Sequence, residues 1–254
     1  MKNYALCIAY EGSLFLGWQK TSRGPSIEET LQLTLERILQ TPISLQAASR
    51  TDKGVHAKEQ WVNFQCQAPL MPGMLRHNLN CLLPTSIRVL SVHEMPAMFH
   101  PTVHALAKEY HYHISLGPIQ MPYERHFSWH VPYPLNLEKM KEASLHFLGT
   151  HDFSSFCNLH PHLNYKDKTR HLTDISLSSQ EQQLLICITG NQFLYKMVRN
   201  LVGTLVYVGR GKIEPGAIPQ ILAARQRTAA GITAPAHGLF LNKIYYPQEF
   251  MISL

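Results

Sequence analysis

The feature that most constrains the fold of this chain is an order of strand-like and helix-like segments that occurs twice. The predicted strands are 4–10, 43–48, 60–66 and 87–92 in the first half, and 106–116, 172–178, 184–189 and 239–246 in the second. Helical spacing of apolar residues covers 27–39, 72–82, a segment after Asn136, 193–208 and 219–225. Both halves therefore follow the order β-α-β-β-α-β, with one extra helix in the second. We expect an α+β protein made of two tandem ferredoxin-like halves whose antiparallel sheets join into one.

The seam between the halves is predicted at 95–104, where Pro96 and Pro101 disfavour regular structure. The chain then divides into an N-terminal half, residues 1–104, and a C-terminal half, residues 105–254. Sheets of this type carry RNA on their open faces in other proteins, with exposed aromatic side chains as stacking platforms. A fold does not assign a function by itself, and the chemistry of particular residues does.

The charge balance favours a polyanionic partner. The 254 residues include 23 Lys and Arg against 17 Asp and Glu, a net charge of +6 with neutral histidines. Such an excess promotes encounters with phosphates. The five cysteines contain no Cys-x-x-Cys pair, which argues against a disulfide framework and a zinc knuckle. Without a signal-peptide pattern or an apolar run long enough to span a bilayer, we expect a cytoplasmic protein that does not enter membranes.

The strongest functional signal is the segment 49–57, Ser-Arg-Thr-Asp-Lys-Gly-Val-His-Ala. It places the carboxylate of Asp52 between an arginine, a hydroxyl and a lysine, close to Gly54, which permits positive φ. The flanking strand patterns predict a tight connection, where a rigid scaffold can present a catalytic group. The alternative is a solvated turn, since Asp and Gly are ordinary turn residues.

Two further positions have a functional and a structural interpretation. Strict alternation over 108–113 puts Tyr110 and Tyr112 on one face of a strand, either as core residues or with a ring against a flat base. Arg199 lies in an apolar helical segment, where an unpaired charge is costly. It either extends to solvent beside Lys196 or pairs with an acid from the other half of the chain, for which Asp52 is the best candidate. Such a pair would keep Asp52 ionised and oriented, as a nucleophile requires.

The histidine pairs His100/His104 and His111/His113 suggest a metal site, but their spacing does not support one. Pro101 prevents a continuous helix between the first pair, and the second pair lacks a neighbouring ligand at suitable spacing. We therefore expect no metal. The segment 160–171 mixes basic and aromatic residues and fits either an RNA-backbone contact or a plain surface loop. Within 151–156 we expect Asp152 to bond backbone amides, which argues against a hydrolase with two carboxylates.

Six motifs in order resemble those of the TruA-type tRNA pseudouridine synthases. They are Tyr10-Glu11-Gly12 with Gly17-Trp18-Gln19, the segment 50–56, Phe99-His100-Pro101 with Tyr110 and Tyr112, the segment 149–156, Met197-Val198-Arg199 with Gly203, and the segment 234–239. The resemblance extends from Tyr4 to Tyr246. Small departures are Ser49, where glycine is frequent, and Lys108-Glu109, where two basic residues often precede the tyrosine.

The resemblance implies a pseudouridine synthase fold with an active-site cleft between the halves. It makes Asp52 the nucleophile, Arg199 its ion-pair partner, Tyr110 the ring that stacks on the uridine, and Arg50 an aid to base flipping. It implies no cofactor, a homodimer, and uridines 38, 39 and 40 of the tRNA anticodon stem-loop as substrates. Whether Asp52 attacks C1′ of the sugar or C6 of the base stays open. The alternative function is a non-catalytic tRNA-binding or RNA-folding module.

Overall fold

The computed structural model describes residues 1–161 and 163–250, and within them the chain forms ten strands and five α-helices. The strands are β1 (Lys2–Tyr10), β2 (Gln46–Ala47), β3 (His56–Cys66), β4 (Ile87–Met95), β5 (Ala107–Leu116), β6 (Trp129–Val131), β7 (Gly149–Asp152), β8 (Thr169–Gln180), β9 (Gln183–Gly190) and β10 (Leu239–Tyr245). The helices are α1 (Ile27–Leu39), α2 (Pro72–Leu82), α3 (Leu137–Leu145), α4 (Met197–Gly209) and α5 (Ile218–Ala224). The α+β class is confirmed, and the cleft between the halves stays a prediction.

The chain divides into two compact units. The first contains Met1–Lys108 together with the residues from Phe240 onward, and the second contains Glu109–Leu239. The predicted boundary after residue 104 lies four residues before that division. Strand β10 belongs to the first unit from Phe240 onward because it pairs in parallel with β3, with Phe240 opposite His56 and Leu241 opposite Ala57.

The first unit is a sheet in the order β4-β1-β3-β10, with the short β2 added on β3. Antiparallel pairing of β1 with both β3 and β4 places β1 between them, and its residues Asn3–Ile8 are buried. Ser26 caps α1 by accepting a hydrogen bond from the Glu29 amide. The carboxylates of Glu28 and Glu29 stabilise the helix by interacting with the positive end of its dipole. The buried side of α1 consists of Ile27, Leu31 and Leu35.

The second unit contains strands in the order β5-β9-β8-β7, with β6 parallel to β5. Helix α3 begins at the predicted cap, Asn136, whose side chain accepts from the Lys139 amide. Most residues of α4 are buried, which explains why its sequence is apolar on nearly all sides. This helix carries Arg199, so the scaffold around that arginine is a packed core.

The predicted helices at 27–39 and 72–82 are confirmed to the residue, whereas some other predictions were wrong. The strand predicted at 43–48 is reduced to Gln46–Ala47, which pair with Asn63 and Val62 of β3. Helix α4 begins at Met197 and not at residue 193, because Lys196 adopts a left-handed conformation with φ +60°. Strands β6 and β7 were not predicted, and their three or four residues are too short to show a periodic pattern.

The sequence predicted no membrane-spanning segment and no disulfide framework. None of the helices in the described part of the chain combines the length and the hydrophobicity needed to cross a bilayer. All five cysteines are free thiols.

Candidate active site

Asp52 lies on the turn that connects β2 to β3, as the sequence predicted. The turn closes with a hydrogen bond of 3.1 Å from the Val55 amide to the Asp52 carbonyl. Gly54 has a φ of +83°, which explains the glycine at this position. Asp52 is half-buried and Arg50 is exposed. The turn therefore presents an acid and a basic side chain within three residues.

The residues that lead into the turn are held by buried polar side chains. Gln60 on β3 has no exposed surface, and its amide oxygen accepts from the Ser49 N–H at 3.1 Å. Its amide nitrogen donates to the Ser49 carbonyl at 2.6 Å. One residue earlier, the Ala48 carbonyl accepts from Lys108 Nζ at 2.7 Å. Because both peptide groups of this segment are bonded from inside the protein, the path of the chain toward Asp52 is fixed.

The two hydrogen bonds between Gln60 and Ser49 act as a clamp on the chain before the turn, and replacing Gln60 measures their contribution to stability. We expect Q60L to lower the free energy of unfolding by about 2–4 kcal/mol, because it leaves a buried N–H and a buried carbonyl of Ser49 without these bonds. The exposed Gln65 on the same strand is the matched control, and Q65L should change stability by less than about 0.5 kcal/mol. Chemical denaturation of both variants measures the difference. Equal stabilities would show that the Gln60 bonds do not hold the turn.

The turn packs against the first of the six motifs, Tyr10-Glu11-Gly12 with Gly17-Trp18-Gln19, which we call the opening motif. The Trp18 amide donates to the Thr51 carbonyl at 3.0 Å, and the Tyr10 and Thr51 hydroxyls share a hydrogen bond of 2.7 Å. A Cβ atom on Gly17, whose φ is +103°, would lie 2.9 Å from the Thr51 carbonyl oxygen. One on Gly12 would lie 1.9 Å from the Val55 carbonyl oxygen. The two glycines of the motif are therefore required for close approach to the turn.

His56 adds a further link between the opening motif and the turn. Its Nδ1 accepts from the Gly12 amide at 3.1 Å, and its ring stacks on Phe240 with centroids 4.6 Å apart. The ring is almost completely buried. The histidine that ends the motif 50–56 therefore has a structural role, because it fixes Gly12 behind Val55.

Tyr110 and Tyr112 lie on the same buried face of β5, as the alternation predicted. The Tyr112 hydroxyl donates to the Pro235 carbonyl at 2.7 Å, and burial raises the pKa of Tyr112 far above its ordinary value. Tyr110 packs against the Phe193 ring at nearly a right angle, with centroids 4.9 Å apart. Tyr112 therefore serves as a neutral hydrogen-bond donor in the core, and Phe193 fixes the orientation of the Tyr110 ring.

Arg199 lies in the first turn of α4 and is oriented by the segment that precedes β10. Its Nε donates to the Ala234 carbonyl at 2.7 Å, and the Ala234 amide donates back to the Arg199 carbonyl at 3.0 Å. Lys196 is the N-cap of α4 in a left-handed conformation and Arg199 is half-buried, so the alternative that Arg199 extends to solvent stays open. Lys196 Nζ lies 4.9 Å from the centroid of the Tyr195 ring.

Arg227 is a residue of this region that the sequence did not indicate. Its guanidinium donates to Asn158 Oδ1, the Gly231 carbonyl, Asn200 Oδ1 and Thr233 Oγ1 at 2.8–3.2 Å. All four acceptors are neutral, and burial lowers the pKa of Arg227. This network fixes the segment 231–234 against α4, and thereby the carbonyl that orients Arg199. Two of its partners, Asn158 and Asn200, are distant in sequence, so local spacing does not mark Arg227.

The remaining sequence-based expectations have separate outcomes. Asp152 accepts from the Ser154 amide and hydroxyl and pairs with Arg225 at 3.0 Å, which confirms its structural role. In residues 1–161 and 163–250 no group of three His, Cys, Asp or Glu side chains is arranged to hold a metal ion. His100 Nδ1 and His104 Nδ1 both accept from backbone amides. The segment 160–171 includes His162, which lies outside the described residues.

The four candidate site residues are distributed over both units. Asp52 and Arg50 belong to the first unit, and Tyr110 and Arg199 belong to the second. Tyr110 contacts Phe193 and Arg199 bonds Ala234 within the second unit. The pairing of Asp52 with Arg199 stays a prediction.

Comparison with known proteins gives matches over nearly the whole chain. Residues 143–247 match a family model described as tRNA pseudouridine synthase. A relative from Protochlamydia amoebophila, named tRNA pseudouridine synthase A 2, is 52% identical over 97% of this chain and 95% of the relative. Proteins named tRNA pseudouridine synthase A are 39% identical in Thermoanaerobacter sp., over 97% of this chain and 100% of the relative, and 40% identical in Chlamydia muridarum, over 98% and 94%.

Proposed function

The chain belongs to the tRNA pseudouridine synthase family, and we propose that Asp52 is the nucleophile with which it converts uridine to pseudouridine. The protein is an isomerase that acts on tRNA. The main support for Asp52 as the nucleophile is that hydrogen bonds fix the turn at 49–55 and the chain before it. Gln60 and Lys108 bond the chain before the acid, and Tyr10, Trp18 and Val55 bond the turn itself. A nucleophile needs such fixed placement, since misplacement by about 1 Å can cost 100-fold in rate.

The reaction requires a balanced exchange of bonds within one nucleotide. The bond between N1 of the base and C1′ of the ribose breaks, the base rotates, and a bond between C5 and C1′ forms. The hydrogen on C5 leaves as a proton, and N1 gains a proton. Asp52 forms a transient covalent bond, at C1′ or at C6, which divides the exchange into two steps. No electron transfer occurs, so the chemistry requires only a nucleophile and groups that move protons.

Arg199 and Tyr110 have supporting roles in this proposal. Arg199 pairs with Asp52 and orients its carboxylate for nucleophilic attack. Its support is the Ala234 bond, which fixes Nε and so orients the rest of the guanidinium. Tyr110 stacks on the flipped uridine and handles the C5 proton, and Phe193 holds its ring at a fixed angle.

Arg50 completes the set on the same turn as the acid. Its side chain is exposed while the neighbouring Ser49 and Thr51 are buried, which suits a group that enters the RNA helix. Extrusion of a base from its stack costs a few kcal/mol, and a side chain that fills the vacated space reduces this cost.

The finer points of the substrate rest on the resemblance of the six motifs. We propose uridines 38, 39 and 40 of the anticodon stem-loop as targets, a homodimer as the active form, and the cytoplasm as the location. The net charge of +6 supports binding to a phosphate backbone.

Incubation with an unmodified tRNA transcript tests the substrate assignment. We expect pseudouridine at one or more of positions 38 to 40, and no product at a position where cytidine replaces the uridine. Mapping of the converted nucleotides gives the answer. Binding of tRNA with no conversion in the anticodon arm would favour the non-catalytic module.

A further inference from the structure

Lys108 is a buried cation for which the sequence suggested no role. Its side chain is 8% exposed, and lysine is rarely buried to this degree without a partner. Among the described residues, only Arg170 is another buried Lys or Arg side chain. Burial lowers the pKa of Lys108 to about 8, which reflects the cost of removing its ammonium from water.

Lys108 forms a hydrogen bond with the residue that precedes the turn of Asp52. Its Nζ donates to the Ala48 carbonyl at 2.7 Å, and the Ala48 amide donates to the Trp61 carbonyl at 2.8 Å. Ala48 is therefore bonded to β3 on one side and to Lys108 on the other. Gln60 holds the next residue, Ser49, in the same way. Two consecutive carbonyls before the turn thus each have a buried side-chain donor.

The position of Lys108 in the chain gives this bond a functional meaning. Lys108 is the second residue of β5, and Tyr110 follows two positions later on the same face of that strand. Within the first unit, the lysine therefore bonds the segment that leads into the turn bearing Asp52. A shorter or apolar side chain would leave the Ala48 carbonyl without this donor.

We propose that Lys108 is a positioning residue of the isomerase, which fixes the Asp52 turn through the Ala48 carbonyl. It acts through the backbone and does not touch the uridine. The inference rests on the proposed role of Asp52 as nucleophile. If the turn loses this bond, Asp52 shifts relative to the base, and the rate of the chemical step falls while tRNA still binds.

The test compares K108M with K108R and the wild type at saturating enzyme in a single turnover. We expect K108M to be slower by roughly 10- to 100-fold, with a Kd for tRNA within about twofold of the wild type. K108R retains a long donor and should recover to within about fivefold. Hydrogen exchange of the peptide spanning 48–56 should accelerate in K108M, while that of α2 should not change. K108Q is a second variant in case K108M does not fold. Its shorter side chain also leaves the Ala48 carbonyl without the lysine donor. We expect the same slower rate and the same faster exchange confined to residues 48–56.

The controls separate this inference from the assignment of Asp52. K2M removes an exposed lysine of the same unit, which bonds Glu94 at 2.9 Å, and should leave the rate unchanged. K108M at the wild-type rate, or faster exchange throughout the first unit including α2, would overturn the positioning role. If the wild type and K108M are fully active and D52N is inactive, the positioning role of Lys108 is wrong and the nucleophile assignment stands. An active D52N would reject the nucleophile assignment on which the inference rests.

Discussion

D52N is expected to abolish pseudouridine formation while tRNA binding persists. The amide has nearly the same shape as the carboxylate, so the turn and its clamps at Ser49 and Thr51 remain. It cannot act as the nucleophile, so the single-turnover rate should fall by a factor on the order of 10⁴ or more. Because binding depends mainly on contacts between basic side chains and phosphates, the Kd should change by less than about threefold.

D174N is the matched control for this substitution. Asp174 is an exposed acid on β8, so the same change of charge and shape should leave the rate and the Kd unchanged. Quantification of pseudouridine after digestion of the tRNA measures the rate, and a filter or mobility assay measures binding. Turnover by D52N within about tenfold of the wild type would remove Asp52 from the mechanism.

G203A should produce the second largest effect, through packing of α4. A Cβ atom at this position would lie 1.8 Å from the Ile232 carbonyl oxygen and 2.8 Å from its carbonyl carbon. The segment 231–234 must then move away from the helix, although alanine is otherwise the better helix former. We expect a loss of roughly 3 kcal/mol in the free energy of unfolding and a decrease in Tm of about 5–10 °C.

The same displacement should reduce activity, because Ala234 bonds Arg199 in both directions. G73A is the matched control, since a Cβ atom on Gly73 in α2 would meet nothing within 4 Å. That variant should be neutral or more stable by up to about 1 kcal/mol. Thermal unfolding of the two variants measures the contrast. A stable and fully active G203A would show that close contact between α4 and the segment 231–234 is not needed.

The parts of the fold that the sequence predicted best are those with strong local signals. Helices α1 and α2 were predicted to the residue because α1 has a serine cap and an acidic first turn, and α2 begins with proline. The turn at 49–55 was predicted from its glycine and its flanking strands. Strands β6 and β7 gave no signal, since they depend on pairing with β5 and β8 and not on their own pattern.

The parts of the site that could not be predicted depend on contacts between distant residues. Gln60 lies in a strand where its polarity suggests an exposed position, yet it is fully buried because Ser49 supplies both of its partners. Lys108 is buried for a similar reason. Gly12 and Gly17 look like loop residues, and only the positions of Val55 and Thr51 reveal why no side chain fits there. The motifs thus contain the proposed nucleophile and the glycines beside its turn, but they do not mark Gln60 and Lys108, which bond the chain before the turn.

The most direct test of the account follows the hydrogen on C5 of the target uridine. In the proposed reaction C5 forms the new bond to C1′, so a tritium label at C5 must be released to water once for each uridine converted. The wild type is expected to release tritium from labelled tRNA in proportion to pseudouridine formed, and D52N is expected to release none. No release by the wild type, or equal release by both proteins, would contradict isomerisation through Asp52.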